Sequence, residues 1–483
     1  MIRKPSWFAL FLAVVVWLML IAACTPTSPP PSPSPTALPP QTPTLTPSPS
    51  PPPTATATPT AIPDPTPTSV FDGIDPTGQT VTYWYAQSRS QAELLDAMIA
   101  DFNGSNPWKI TVRGENYASA DALRTRIVAG LADQQWPSLA LVDQDQAATY
   151  ALSETLVALD PYVNDGRWGY SEAALSDFFT SALQLDILPQ FGGRYGWPYY
   201  SSLEVLYYNA DWLKELGYTG PPATWDEFTE MACKAAEQPF SGKTGADPAV
   251  GYEGTAEVSR FVTFLFSRGG DMINADGTAY VFNSAEGREA LAGWQAIVER
   301  GCARPVSMRY SDQTDFGGGR VLFTVGSTSG LPYYAKAVSE DANFVWGISP
   351  PPSGTTTPRT NVYGAGHLMF KSTPEAQLAT WVLIKWLSEP EQQARWVSET
   401  HHLPIRRSAA DLMHAYLVEN PLYATALRLT ELDAGVEAPV VGYDACRAAI
   451  EDMLTRVLDG ADVQVELDAT VETCNAYLEE AAP

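Results

Sequence analysis

The chain has 483 residues, with 29 Lys and Arg against 55 Asp and Glu and a formal net charge of −26. Such a balance excludes most non-specific nucleic-acid binders and a polybasic membrane patch, both of which need a surplus of Lys and Arg on one face. A hydrophobic fraction of 45 %, with 14 Trp, 22 Tyr and 17 Phe, excludes disorder over the bulk of the chain. The 41 Pro are unevenly placed: residues 25–68 alone hold 18 Pro, 12 Thr and 5 Ser, so two different materials are joined end to end.

Arg3 and Lys4 form a basic head before an apolar run over residues 7–23, the pattern of a secretory signal. The run ends in Ile21, Ala22, Ala23 and Cys24, which resembles a bacterial lipobox. That resemblance implies removal of residues 1–23 and lipid attachment at Cys24, and hence an extracytoplasmic protein anchored to the cell membrane. Residues 25–68 carry one charged side chain, Asp64, and no apolar period, so they bury too little surface to offset ordering entropy. They are expected to form a disordered tether, spanning 24–77 with the lipidated Cys, rich in polyproline II and reaching at most about 140 Å at about 3.1 Å per residue.

From residue 79 the pattern changes. Residues 79–85 are β-branched and aromatic and predict a strand, and Ala92, Leu95, Ile99 and Phe102 form one stripe of a helix. Residues 108–112 predict a second strand, 120–131 a second helix and 138–142 a third strand. This alternation predicts an α/β lobe with a mainly parallel sheet. Ligands of such sheets sit at the carboxyl ends of the strands, here residues 85–88, 115–117 and 143–146.

Four further segments carry a resemblance covering nearly all of residues 79–483. They are Gly196 to Asn209 followed by Ala-Asp-Trp-Leu213, Pro222 to Phe228, Gly269 through Asn274 to Glu286, and Gly364-Ala-Gly366 through Trp386 and Pro390 to Arg406. In this order and spacing the chain resembles an extracellular solute-binding protein of family 1, the carbohydrate-binding component of an ABC importer, related to maltose- and glycerol-phosphate-binding proteins. The resemblance implies a two-lobed α/β fold of the periplasmic-binding-protein type with the ligand cleft between lobes. It places lobe one at 79–198 and 347–398 and lobe two at 199–346 and 399–483. It also implies a monomer that delivers a sugar or polyol to permease subunits, with no cofactor and no bond made or broken.

Besides Cys24 there are four cysteines, an even number that suggests two bridges in an exported chain. With the lobes so assigned, Cys233–Cys302 and Cys446–Cys474 are the expected pairs, because each joins helix-like segments of one lobe. Catalytic motifs fail: the four His form no HExxH pattern, Gly326 to Gly330 has Thr328 where a hydrolase elbow needs Ser, and Gly242-Lys-Thr244 lacks the glycine of a phosphate loop. Two alternatives stay open, an extracellular carbohydrate-active enzyme and a surface sensor or adhesin.

The expected ligand contacts are Tyr85, Gln87, Glu115, Asp143 and Gln144 at strand ends. Tyr199, Tyr200, Ser201 and Glu204 join them from the first crossing, Ser327 and Thr328 from the next, and Gly364 and Gly366 from the last. Arg406 lies where related proteins often place a cleft cation able to grip an anion or bridge hydroxyls.

Overall fold

The computed structural model describes residues 69–356 and 359–481; the signal, Cys24 and the Pro-rich stretch to residue 68 lie outside them. The folded body already includes the expected end of the tether, since Phe71 stacks on Tyr162 with ring centroids 4.4 Å apart and the Val70 amide donates to Asp165 at 3.0 Å.

The β-branched and aromatic run forms β1 (Thr80–Tyr85), which is parallel to both β2 (Thr111–Asn116) and β3 (Leu139–Asp143). The crossover helices are α1 (Arg89–Ser105) and α2 (Ala120–Asp133), and the Ala92, Leu95, Ile99, Phe102 stripe of α1 is buried against the sheet. β2 begins later than its sequence predicts, because Trp108 and Lys109 belong to a turn. Lys109 has φ 53°, and the Asn106 amide donates at 2.9 Å to the carbonyls of both Phe102 and Ile110. A side chain that satisfies both ends of a turn overrides the strand propensity of an aromatic residue.

The next strand, β4 (Gly196–Asn209), is long. After it come helix α3 (Trp225–Glu237), β5 (Val250–Gly254), α4 (Val258–Phe266), α5 (Ala285–Glu299), β6 (Ala303–Pro305), β7 (Val321–Ser327) and β8 (Trp346–Ser349). β9 (Arg359–Met369), α6 (Pro374–Leu387), β10 (Asp433–Val436), α7 (Tyr443–Leu458) and α8 (Val463–Ala481) complete the elements that matter below. Along β4 the partners change. Residues 196–203 pair antiparallel with β9, whereas residues 204–208 pair with β7 and 206–209 with β8. One arm of the sheet therefore carries β1, β2, β3, β9 and β10, and the other carries β5 to β8. The outer pairs β1–β2, β1–β3, β5–β6, β5–β7 and β9–β10 are parallel, and the antiparallel pairs gather at the crossing strands β4 and β9.

Local chemistry fixes the framework. Thr224 and Glu227 form a reciprocal capping box at the start of α3, as their spacing predicts. Disulfides join Cys233 on α3 to Cys302 before β6, and Cys446 on α7 to Cys474 on α8. Loops of 69 and 28 residues are worth about 4 kcal/mol each in the chain-entropy account of unfolded-state restriction. Among the described residues no helix is long and apolar enough to cross a membrane.

Candidate functional site

The carboxyl ends of β3, β5 and β7 and the loop after β6 open onto one cleft beside the crossing strands, the position expected for ligands of parallel sheets. It consists of a cavity of about 580 Å³ and one of about 510 Å³ that share Ser259, Arg309, Ser329 and Tyr363, with a small recess of about 50 Å³ reached past Asp143 and Tyr200. Cavities of this size suit small ligands and short oligomers.

The larger cavity is built around Glu204 on β4. Its carboxylate accepts from Arg260 on α4 and, at 2.7 Å, from the Tyr363 hydroxyl on β9. Burial pushes the Glu204 carboxyl upward, and Arg260 opposes that shift. Ser327, Ser329 and Gly330 line the same cavity from the end of β7, and Tyr310 and Tyr333 stand 57 % and 63 % exposed at its rim. Arg309 lies over the Tyr310 ring at 4.9 Å and forms no ion pair among the described residues.

The second cavity has a different charge arrangement. Its acids are Asp143, Asp145 and Glu437; besides the shared Arg309 its cation is Arg447 on α7, which is already bonded to Glu437. Burial raises Asp145 to about 7, with Asp143 and Asp444 adding to the shift and Arg447 opposing it. One Asp145 oxygen is buried with no hydrogen-bond partner. Tyr200 stacks on His402 with centroids 4.0 Å apart, giving this cavity an aromatic wall, and burial lowers His402 to about 4, which keeps it neutral.

Of the residues expected from sequence, Gln87, Asp143, Gln144, Tyr200, Glu204, Ser327 and Gly364 line these cavities. The others lie elsewhere. Tyr85 is buried and donates to Asp96 on α1, Glu115 is exposed outside the cleft, and Tyr199 is buried against His367 and Trp396. Ser201 is buried where its backbone pairs with Leu403, and the Thr328 hydroxyl accepts the Leu203 amide at 3.1 Å. Gly366 packs on Asp186, and Arg406 bonds Asp177 at 2.7 Å and the Ser388 carbonyl at 3.2 Å. Gly364 needs its lack of a side chain, since a Cβ there meets the Tyr200 carbonyl oxygen at 2.1 Å. Sequence reasoning missed Arg260, Arg309, Tyr363, Asp145 and Arg447, which sit in no local motif. Among the described residues no group of His, Cys, Asp and Glu is arranged to hold a metal ion.

The family model for bacterial extracellular solute-binding proteins matches residues 97–425. The chain is 24 % identical over 368 residues to the sn-glycerol-3-phosphate-binding periplasmic protein UgpB of Escherichia coli (strain K12), covering 72 % of this chain and 80 % of that protein. Among solved structures, the cyclic alpha-maltosyl-1,6-maltose binding protein of Arthrobacter globiformis superposes with TM-score 0.70 at 23 % identity, covering 83 % of this chain and 99 % of that one. UgpB of Mycobacterium tuberculosis in complex with glycerophosphocholine superposes with TM-score 0.66 at 21 % identity, covering 84 % and 99 %. Two-lobed architecture, a cleft at strand carboxyl ends and a family match over most of the folded body agree: the chain belongs to the bacterial extracellular solute-binding proteins, and it is a binding protein rather than an enzyme.

Proposed function

We propose that this chain is the substrate-capturing lipoprotein of an ABC importer and that its solute is an uncharged oligosaccharide. The two arms of the sheet are the lobes, the seam at Glu204 is their boundary, and hinge bending about the crossing strands closes the cleft. The permease then recognises the closed form. One observation carries the choice of solute: six carboxylates line the two cavities against three guanidiniums, and two of those guanidiniums are bonded to Glu204 and Glu437. This surplus repels an anion, while sugar hydroxyls donate to carboxylates and sugar C–H faces pack on Tyr200, Tyr310 and Tyr333. Structural neighbours that bind maltose-type sugars favour the same reading. Anchoring through Cys24, which lies outside the described residues, rests on the lipobox alone and is tested by labelling with a fatty-acid probe in cells carrying the wild-type chain or Cys24→Ala.

A second reading, a glycerol phosphate or its diester, is favoured by the UgpB relatives, one named for sn-glycerol 3-phosphate and one solved with glycerophosphocholine, and by Arg309, the cleft guanidinium without an ion pair among the described residues. A thermal-shift screen separates the two, because a ligand that binds only the folded state raises the melting temperature by mass action. Uncharged oligosaccharides are expected to shift it. A shift given only by sn-glycerol 3-phosphate or glycerophosphocholine and lost in Arg309→Ala supports the second reading and rejects the first.

A further inference from the structure

A separate cavity of about 470 Å³ opens on the arm that carries β1 to β3 and shares no lining residue with the cleft. Its walls are Trp108, Trp168 and Trp386, and Arg167 and Glu389 stand among its lining groups. Trp108 and Trp386 stand half-buried at its opening and Trp168 is buried behind them, in a position that neither the sheet nor the cleft requires.

The walls are rigid. Asn106 pins the Trp108 turn as described, and the Gly78 amide donates to the Trp108 carbonyl at 2.9 Å. The Trp168 amide donates to Asp165 at 2.8 Å, while its carbonyl accepts from Trp381 at 3.0 Å and from Lys385 at 2.8 Å. Trp386 packs edge-on against Phe102, with centroids 5.4 Å apart. Trp108 and Trp168 lie 5.8 Å apart with their planes tilted by 50°, so they form an angled wall rather than a closed stack.

We infer that this cavity is a second carbohydrate-binding site, taking a short run of linked sugar rings. A purely apolar guest makes no use of the exposed Glu389 and Arg167 beside the indoles. A quaternary ammonium gains from the indole faces but meets Arg167 and Lys385 against Glu389 alone. A sugar ring satisfies both demands: its C–H face lies on an indole, and its hydroxyls donate to Glu389 and accept from Arg167. Lys385, committed to the carbonyls of Trp168 and Gly169, positions the wall rather than the ligand. The sugar can come from a free oligosaccharide or from a segment of a polymeric glycan.

Calorimetric titration of the full-length protein with maltotetraose, cellotetraose, xylotetraose and chitotetraose tests the first source, and co-sedimentation with insoluble cellulose and chitin tests the second. The expected result is binding that Trp108→Ala weakens at least tenfold and Glu389→Ala at least threefold. If Trp108→Ala unfolds the protein, Arg167→Ala and Glu389→Ala, both at exposed side chains, carry the test. Response to a tetrasaccharide assigns the free source, and response only to a polymer assigns the polymeric one. Binding of no probe, or binding indifferent to all of these cavity substitutions, overturns the inference whatever the cleft does.

Discussion

At the Glu204 end of the cleft a fully buried carboxylate accepts from Arg260 and Tyr363, so the protein supplies both the counter-charge and the hydrogen bonds. At the Asp143 end two carboxylates lie close together, one with an oxygen that has no partner, and the neighbouring cation is engaged by Glu437. The first end has its carboxylate paired before any ligand arrives, with the Arg260 Nε and the Thr255 hydroxyl left without partners. The second is completed by a ligand's hydroxyl donors or by a proton. Charge met internally fixes the shape of the cleft, and on the proposed function charge left unmet selects what enters it.

Breaking the completed end has the largest effect. Arg260→Met leaves Glu204 buried without its cation and is expected to cost about 3–5 kcal/mol in denaturant unfolding at pH 7, with most of the loss recovered in the double variant Arg260→Met/Glu204→Leu. A loss below about 1 kcal/mol contradicts a buried, protein-completed ion pair.

The unmet end is expected to respond in the opposite sense. Asp145 is raised to about 7 in the fold from an ordinary value near 4, chiefly by burial and then by Asp143 and Asp444. A carboxyl with a raised folded value favours folding while protonated, so its contribution is present below about pH 4 and lost as pH rises to about 7. Asp145→Asn removes that loss. Urea midpoints measured from pH 4 to 7 are expected to show the wild type falling by about 2 kcal/mol relative to the variant, the figure being discounted for the open cleft. Parallel curves for the two proteins contradict the arrangement.

The smallest effect sharpens the contrast. Tyr363→Phe removes one hydrogen bond to a carboxylate that keeps Arg260 and is expected to cost about 1 kcal/mol, seen as a modest fall in the unfolding midpoint.

These two ends were unequally legible in the sequence. β1, α1, α2 and β3 follow from alternation and helical period, and the capping box from Thr224 and Glu227 alone, because each depends only on near neighbours. The strand-end rule led to Asp143 and Gln144 for the same reason, whereas Ser327 came from the crossings that the resemblance implies. It did not say which face of a strand meets the cleft: Tyr199 and Tyr200 are adjacent and point to opposite sides of β4, and only Tyr200 lines a cavity. Arg406 was legible as a cation near the crossing, but the Asp177 that holds it lies 229 residues earlier in the chain. Arg260, Tyr363 and Arg447 meet their carboxylates only once β4, β9 and α7 have converged, and no spacing announces a contact made across separations of 56, 159 and 10 residues.

On the proposed function, the cleft takes an uncharged oligosaccharide against the surface of Tyr200 and the carboxylates beside it. Calorimetric titration at neutral pH of the wild type and Tyr200→Ala, with uncharged oligosaccharides alongside sn-glycerol 3-phosphate and glycerophosphocholine, tests it directly. Saturable binding of at least one uncharged oligosaccharide, weakened at least tenfold in Tyr200→Ala, is expected. Binding of a phosphate-bearing solute with none of any uncharged oligosaccharide, or sugar binding indifferent to Tyr200→Ala, contradicts it.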